Sequence, residues 1–245
     1  MADNTLNNIN SFFKLWSNRW YTRLIPAQID KLMELERNAE FMRGLGFAFS
    51  TIKMPVFPKL SNFVSDNTLE EKPYVVIAPT ASWRGREWPL SNFIEVGKRI
   101  VNYGYKVVVI GEINDEERLA DLVDNLNINA INLIGKTTLP DLVEILRKAS
   151  VVVANESAPL HIAASLDKNI VSIVGGGHFG RFVPYQFSAT SKINKLPLVI
   201  FEKMDCFGCN WKCIYERKSK EPVKCIKDIS IDKVWNQVSG LLAKN

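Results

Sequence analysis

Five short runs after Tyr74 are apolar on both faces: YVVIAP, KVVVIG, INLIG, VVVAN and NIVSIVG. A strand with one wet face alternates apolar and polar residues. A continuous β-branched run has to be covered on both sides. The stretches between these runs carry helical spacing. Residues 90–101 place Leu90, Phe93, Ile94, Gly97, Ile100 and Val101 together, and DEERLADLVDNL aligns Leu119, Leu122, Val123 and Leu126. Its acids fall in the first turn, where the helix dipole favours them. LPDLVEILRKA, with proline near its start, and PLHIAASL continue the alternation. Strands buried on both faces and alternating with helices predict an α/β fold. It is a Rossmann-like parallel sheet with helices on both faces, over about residues 71–200.

The flanks read differently. IDKLMELERNAEFMRGLG (29–46) is a helix ended by Gly44 or Gly46. MPVFPKL is a proline-punctuated connector, and NTLEEKP marks a boundary before the first strand. ISIDKVWNQVSGLLAK is a last helix with Val234, Val238 and Leu241 on one stripe. The expected division is a helical amino-terminal segment and connector over 1–70, then a sheet domain with the terminal helix over 71–245. Hydrophobic residues make up 47% of the chain, enough for a core of that size. The net charge of +5 is spread without a Lys/Arg block. That argues against a nucleic-acid arm and suits an anionic small ligand or a lipid surface. Asp3, Asn4, Asn7, Asn8 and Asn10 occupy the place of a leader's apolar segment. No run reaches the roughly 18–20 apolar residues of a membrane span. A cytoplasmic protein is the expectation.

Ligands of open parallel sheets sit beyond the carboxyl ends of the strands. The turns gathered there are PTASWRGREWP, GEINDEE, GKTT, NESAPLH and GGGHFGR. Their candidate binding residues are Thr80, Ser82, Arg84, Arg86, Glu112, Lys136, Glu156, Ser157, Ala158, His161, Gly176, Gly177 and His178. The fourth turn opens a helix, with Ser157 or Ala158 as cap and Pro159 in the first turn. Free N–H groups at such an end hold a diphosphate, and His161 adds a donor one turn in. Glu156 repels phosphate, so a sugar hydroxyl or neighbouring backbone N–H groups suit it better. The alternative is a structural cap with a satisfied histidine. Arg84 and Arg86 supply guanidinium forks for phosphate oxygens, or else are solvated. Trp83 and Trp88 are expected to pack. GGGHFG matches G-x-G-x-x-G, but RFVPYQF does not read as the helix that a dinucleotide site needs.

Two further segments stand out. Cys206, Cys209, Cys213 and Cys225 are the only cysteines and fall within twenty residues. Four thiolates so spaced form a structural zinc site or hold an iron–sulfur cluster; reduced structural thiols and two local disulfides are the alternatives. SFFKLWSNRWYTRLI (11–25) interleaves Phe12, Phe13, Trp16, Trp20 and Tyr21 with Lys14, Arg19 and Arg23. A linker helix packed on the sheet domain, or on a further domain outside this chain, is expected there, with a lipid-surface segment as its alternative.

Taken in order, APTASWRGREWPLSNFIEVGKRI, VVVIGEINDEE, NLIGKTTLPDLVEILRKASVVVANESAPLHIAASL and VSIVGGGHFGRFVPY resemble the carboxyl-terminal half of glycosyltransferase family nine. These are the lipopolysaccharide heptosyltransferases, of two-domain GT-B architecture. The likeness runs from about Tyr74 to the end and weakly upstream, where ERNAEFMRGLG resembles the interdomain connector. The resemblance implies an inverting, metal-independent transfer from a nucleotide diphosphate-sugar such as ADP-heptose to a lipid-linked or other envelope saccharide. It places the donor in this half. Ser82 and Arg86 match the family's first turn, Glu112 the turn that approaches the ribose. Glu156, Ser157, Ala158 and His161 match its Asp-Ser/Thr-Gly…His turn. Glutamate for aspartate at 156 and alanine for glycine at 158 narrow the turn and leave the sugar open; arginine stands for lysine at 86. No cofactor for catalysis is implied, and the localisation is cytoplasmic, peripheral at the inner membrane. The family's acceptor domain, with its acidic catalytic base, has no match in the segment before the sheet. The expectation is a donor half completed by an upstream or separate amino-terminal half. A GT-B sugar-nucleotide epimerase and a non-catalytic nucleotide-binding module are the rivals.

Overall fold

The computed structural model describes residues 11–25, 32–48, 54–59, 69, 72–186 and 195–244. They fall into two compact units. The smaller holds the described residues up to 48 with 180–186. Helix α1 (Ser11–Ser17) runs into a short 3-10 turn, and α2 spans Glu34–Gly44. Helix α2 stops at Gly44, one of the two expected ends; residues 29–31 of its expected start lie outside the described residues. The Glu34 N–H donates to the Arg181 carbonyl at 2.7 Å, and Arg181 Nε to Glu34 Oε2 at 3.0 Å. The linker helix expected over 11–25 forms as α1 over its first residues; none of residues 12–25 is buried, and Phe12 and Trp20 are 75% and 67% exposed.

The larger unit is the sheet domain. Its strands are β1 (Tyr74–Ala78), β2 (Lys106–Val109), β3 (Ala130–Asn132), β4 (Val151–Asn155), β5 (Ile170–Ile173) and β6 (Leu198–Ile200). They form one sheet in the order β3-β2-β1-β4-β5-β6, every pair parallel. The expected fold class is therefore observed. INLIG gives only a three-residue strand, because the Asn132 side chain accepts from the Ile134 N–H at 3.0 Å and turns the chain. Strand β6 is an addition: three partly exposed residues at the sheet edge carry too little pattern to announce themselves.

Helices α3 (Leu90–Asn102), α4 (Glu116–Leu126), α5 (Leu139–Lys148), α6 (Ala158–Ser165), α7 (Lys224–Lys227) and α8 (Ile231–Leu242) complete the unit. Helix α3 buries Phe93, Val96 and Ile100 fully. Each stabilises the fold by about 1.5–3 kcal/mol relative to exposure. Helix α5 starts on a reciprocal cap, Thr138 Oγ1 accepting from the Asp141 N–H and Asp141 Oδ2 from the Thr138 N–H at 2.9 Å.

Every residue of β1 and β4 is buried, and the two strands pair from Val75↔Val151 to Ala78↔Ala154. The chain leaves β1 toward β2 on one side and leaves β4 toward β5 on the other. Their exit turns diverge and open a crevice at this switch point.

Candidate functional site

Three of the expected residues meet at that crevice. Arg86 leaves the β1 turn, and Glu156 and His161 belong to the β4 turn and α6. Arg86 Nη2 donates to the Glu156 carbonyl at 2.8 Å and stands 3.3 Å from Glu156 Oε1. The Glu156 side chain is 3% exposed and that of Arg86 19%. Arg86 Nε–H is buried and meets no acceptor among the described residues. The sequence reading gave Glu156 a sugar hydroxyl or backbone N–H groups; its side chain instead stands beside the guanidinium. A buried carboxylate needs a cation, and Arg86 is within reach.

Ser157 and Ala158 start α6. Ser157 is extended (φ −149°, ψ 178°) and its side chain does not cap the helix. Its Oγ turns back to the Asn155 carbonyl at 3.4 Å. Pro159 has no N–H and the Leu160 N–H donates to the Ser157 carbonyl at 3.1 Å, so the first turn of the helix leaves the Ala158 N–H without a side-chain cap.

His161 lies one turn in. Burial, and then the charge of Arg86, push its pKa below the ordinary value near 6.5. The folded chain takes up this proton less readily than the unfolded one. The stabilisation from the neutral ring is complete above about pH 6.5 and is lost as the pH falls toward the folded value. Urea unfolding of wild type and His161→Gln at about pH 7.5 and 5.5 checks this. The stability gap between them is expected to narrow at the lower pH.

Other groups fix the rim. Asn155, fully buried at the end of β4, donates to the Pro79 carbonyl at 2.6 Å and accepts from the Trp88 N–H at 3.1 Å. Glu87 Oε1 accepts from the Ala81 N–H at 3.0 Å. Arg118 of α4 grips Glu87 with Nη1 and Nη2 at 2.5 and 3.1 Å and also reaches Asp115. The sequence reading missed Asn155, Glu87 and Arg118. An asparagine closing a β-branched strand was the available signal, since buried amides need partners.

The remaining expected residues disperse. Thr80 is half-buried in the first turn, and Ser82 and Arg84 are exposed there. Glu112 caps a short turn with Asp115, and Lys136 donates to the Asn132 carbonyl at 3.2 Å; both are exposed at the exits of β2 and β3. Gly176 and Gly177 face aromatic rings. A Cβ on Gly176 would lie 2.3 Å from Phe207 Cδ2, and one on Gly177 would lie 2.3 Å from Trp211 Cδ2. Those glycines admit side chains from the cysteine segment. His178 faces the same way: its Nδ1 accepts from Trp211 Nε1–H at 3.0 Å, so its Nε2–H donates to Asn210 Oδ1 at 2.5 Å.

The cysteine segment is folded onto these turns. Cys206, Cys209 and Cys213 are half-buried and Cys225 is buried, all as free thiols. The four line one cavity of about 10 Å³, beside Gly176 and Trp211. That is room for one water-sized sphere. Cys225 Sγ accepts from the Gly176 N–H at 3.3 Å. Burial pushes the thiols of Cys209 and Cys225 up, and the neighbouring cysteines act in the same direction. Among the described residues no group of three or more His, Cys, Asp or Glu side chains is arranged to hold a metal ion. Asn210 and Trp211 take φ of 50° and 63°. A bulky residue rarely adopts this left-handed conformation. Main-chain and side-chain bonds tie the segment down. Val223 N–H donates to the Gly85 carbonyl at 2.9 Å, and Trp88 Nε1–H to the Ile229 carbonyl at 2.9 Å.

A family model described as glycosyltransferase family 9 (heptosyltransferase) matches residues 14–209. Lipopolysaccharide heptosyltransferase 2 of Salmonella typhimurium is 31% identical over 110 residues, 43% of this chain and 32% of that protein. Lipooligosaccharide heptosyltransferase 2 of Campylobacter jejuni is 26% identical over 200 residues, 79% of this chain and 58% of that protein. The chain thus spans between about a third and three-fifths of these relatives. The crystal structure of the glycosyl transferase family 9 protein from Veillonella parvula superposes with a TM-score of 0.62 at 22% identity. That likeness covers 92% of this chain and 63% of the other, and shows a shared fold.

Proposed function

We propose that this chain, which belongs to glycosyltransferase family 9, is the donor-binding half of an inverting glycosyltransferase. The donor is a nucleotide diphosphate-sugar such as ADP-heptose, and the acceptor is a lipopolysaccharide-type saccharide. One observation carries the reading. Among the described residues the buried Arg86 Nε–H has no acceptor, and it lies beside the start of α6, which no side chain caps, at the crevice between the β1 and β4 exits. A diphosphate satisfies both features at once.

In the reaction an acceptor hydroxyl attacks the anomeric carbon. The bond from that carbon to the diphosphate oxygen breaks, and the hydroxyl proton passes to an acidic base expected in the amino-terminal half. Negative charge grows on the leaving diphosphate. Arg86 and the Ala158 N–H at the start of α6 are fixed before the reaction and gain strength as that charge develops. The uncharged His161 donates a hydrogen bond without adding a second cation.

Work at a membrane surface suits a lipid-linked acceptor. The exposed aromatic and basic residues of α1 and the turn after it supply an interfacial face. None of the described helices is long and apolar enough to cross a membrane.

Calorimetric titration with ADP and UDP tests the reading. The chain alone is expected to bind one of them with micromolar affinity, about −8 kcal/mol. It is expected to transfer sugar only when a matching amino-terminal half is added. Absence of binding to either nucleotide overturns the reading.

The four cysteines support a second, structural assignment, a zinc ion or iron–sulfur cluster held by Cys206, Cys209, Cys213 and Cys225. All four line one cavity, and an all-thiolate donor set matches either group. Binding requires the thiols to draw closer than their present arrangement, which does not by itself hold a metal ion. Bound there, the group would cross-link the segment and take no part in transfer. Elemental analysis of protein purified without chelators is expected to return about one zinc, or iron with visible absorption, per chain. Metal-free protein whose thiols all alkylate in the native state removes the assignment.

A further inference from the structure

We infer that Trp211 is a positioning residue for Arg86, so that the cysteine segment holds the guanidinium at the donor rim; the inference rests on the donor reading above. The Arg86 Cζ lies 5.4 Å from the centroid of the Trp211 ring. That is within range of a cation–π contact. Glu156 grips one end of the guanidinium through Nη2, and the ring supports its face. Together they leave a buried Nε–H that meets no acceptor among the described residues.

Trp211 is itself held on several sides. Its N–H is fixed to His178, its edge meets Trp83 at 5.7 Å, and the bare backbone of Gly177 admits it. Trp83 in turn carries Arg217 over its ring at 4.6 Å. The Arg217 Nη1 is pinned by the carbonyls of Lys218, Ser219 and Glu221. A line of ring contacts therefore runs Arg217, Trp83, Trp211, Arg86, the two indoles meeting edge to face at 74°. The left-handed backbone at Asn210 and Trp211 aims the indole inward, and the packing around it maintains that conformation.

The test compares wild type with Trp211→Leu, Trp211→Phe and a chain carrying tetrafluorotryptophan at 211. The fluorinated ring keeps the shape and loses the negative face, so it reports on Arg86 even where Trp211→Leu fails to fold. Two readouts are taken: the Arg86 Nε–H resonance, assigned by its loss in Arg86→Lys, and ADP affinity by calorimetry. The resonance is expected to move in the leucine and fluorinated chains. ADP affinity is expected to fall about tenfold in Trp211→Leu and about threefold in the fluorinated chain. Trp211→Phe retains a ring face and is expected to lie nearer wild type. An Arg86 resonance that stays in place in the fluorinated chain overturns the inference, whatever the nucleotide does. A resonance that moves in a chain where even wild type ignores ADP supports the positioning role and sinks the donor reading instead.

Discussion

Arg86→Ala is expected to destabilise the sheet domain by about 3–5 kcal/mol, and not merely to weaken a ligand. The substitution leaves Glu156 as a buried carboxylate without its cation, and removing one partner of a buried pair has an effect of that size. Arg86→Met combined with Glu156→Gln removes both charges and keeps the volume. That double variant is expected to recover most of the loss, because it leaves no uncompensated buried charge. Urea unfolding of wild type, Arg86→Met, Glu156→Gln and the double variant forms a double-mutant cycle, with a coupling energy of about 2 kcal/mol or more expected. A double variant no more stable than Arg86→Ala would show that the pairing is not made. The same chains separate folding from binding. The stable double variant still lacks the guanidinium and is expected to bind ADP at least tenfold more weakly.

The second large effect is expected at Asn155. Leucine there leaves the Trp88 N–H and the Pro79 carbonyl buried without partners. Each orphaned group costs about 1–3 kcal/mol, so Asn155→Leu is expected to lose about 4 kcal/mol. The loss reaches the site because both partners belong to the turn that carries Arg86. Hydrogen exchange at the Trp88 N–H checks the mechanism, with protection falling by more than the global loss allows. Unchanged exchange there, together with unchanged stability, would falsify the role given to this amide.

Much of this molecule was legible in its sequence, and the reason is burial. Strands β1, β2, β4 and β5 are covered on both faces, so their runs announce themselves without reference to the rest of the chain. Topology then makes Arg86 and Glu156 neighbours although 70 residues separate them. What escaped depends on side chains meeting across long distances. GGGHFG invites a ligand reading, yet the space beside its glycines belongs to Phe207 and Trp211, some 30 residues later. No local pattern at 176 or 177 records that. Asn155 escaped because its partners lie in another turn.

The Trp88 indole bonds to the Ile229 carbonyl across 141 positions, and Val223 clips Gly85 in the same way. The first βα turn is therefore fastened by residues more than 130 positions further along the chain. Val223, Ile226, Val234 and Val238 belong to the same core as Val75, Ile77, Val151 and Val153, so the turn and the hydrophobic layer beneath it are completed together.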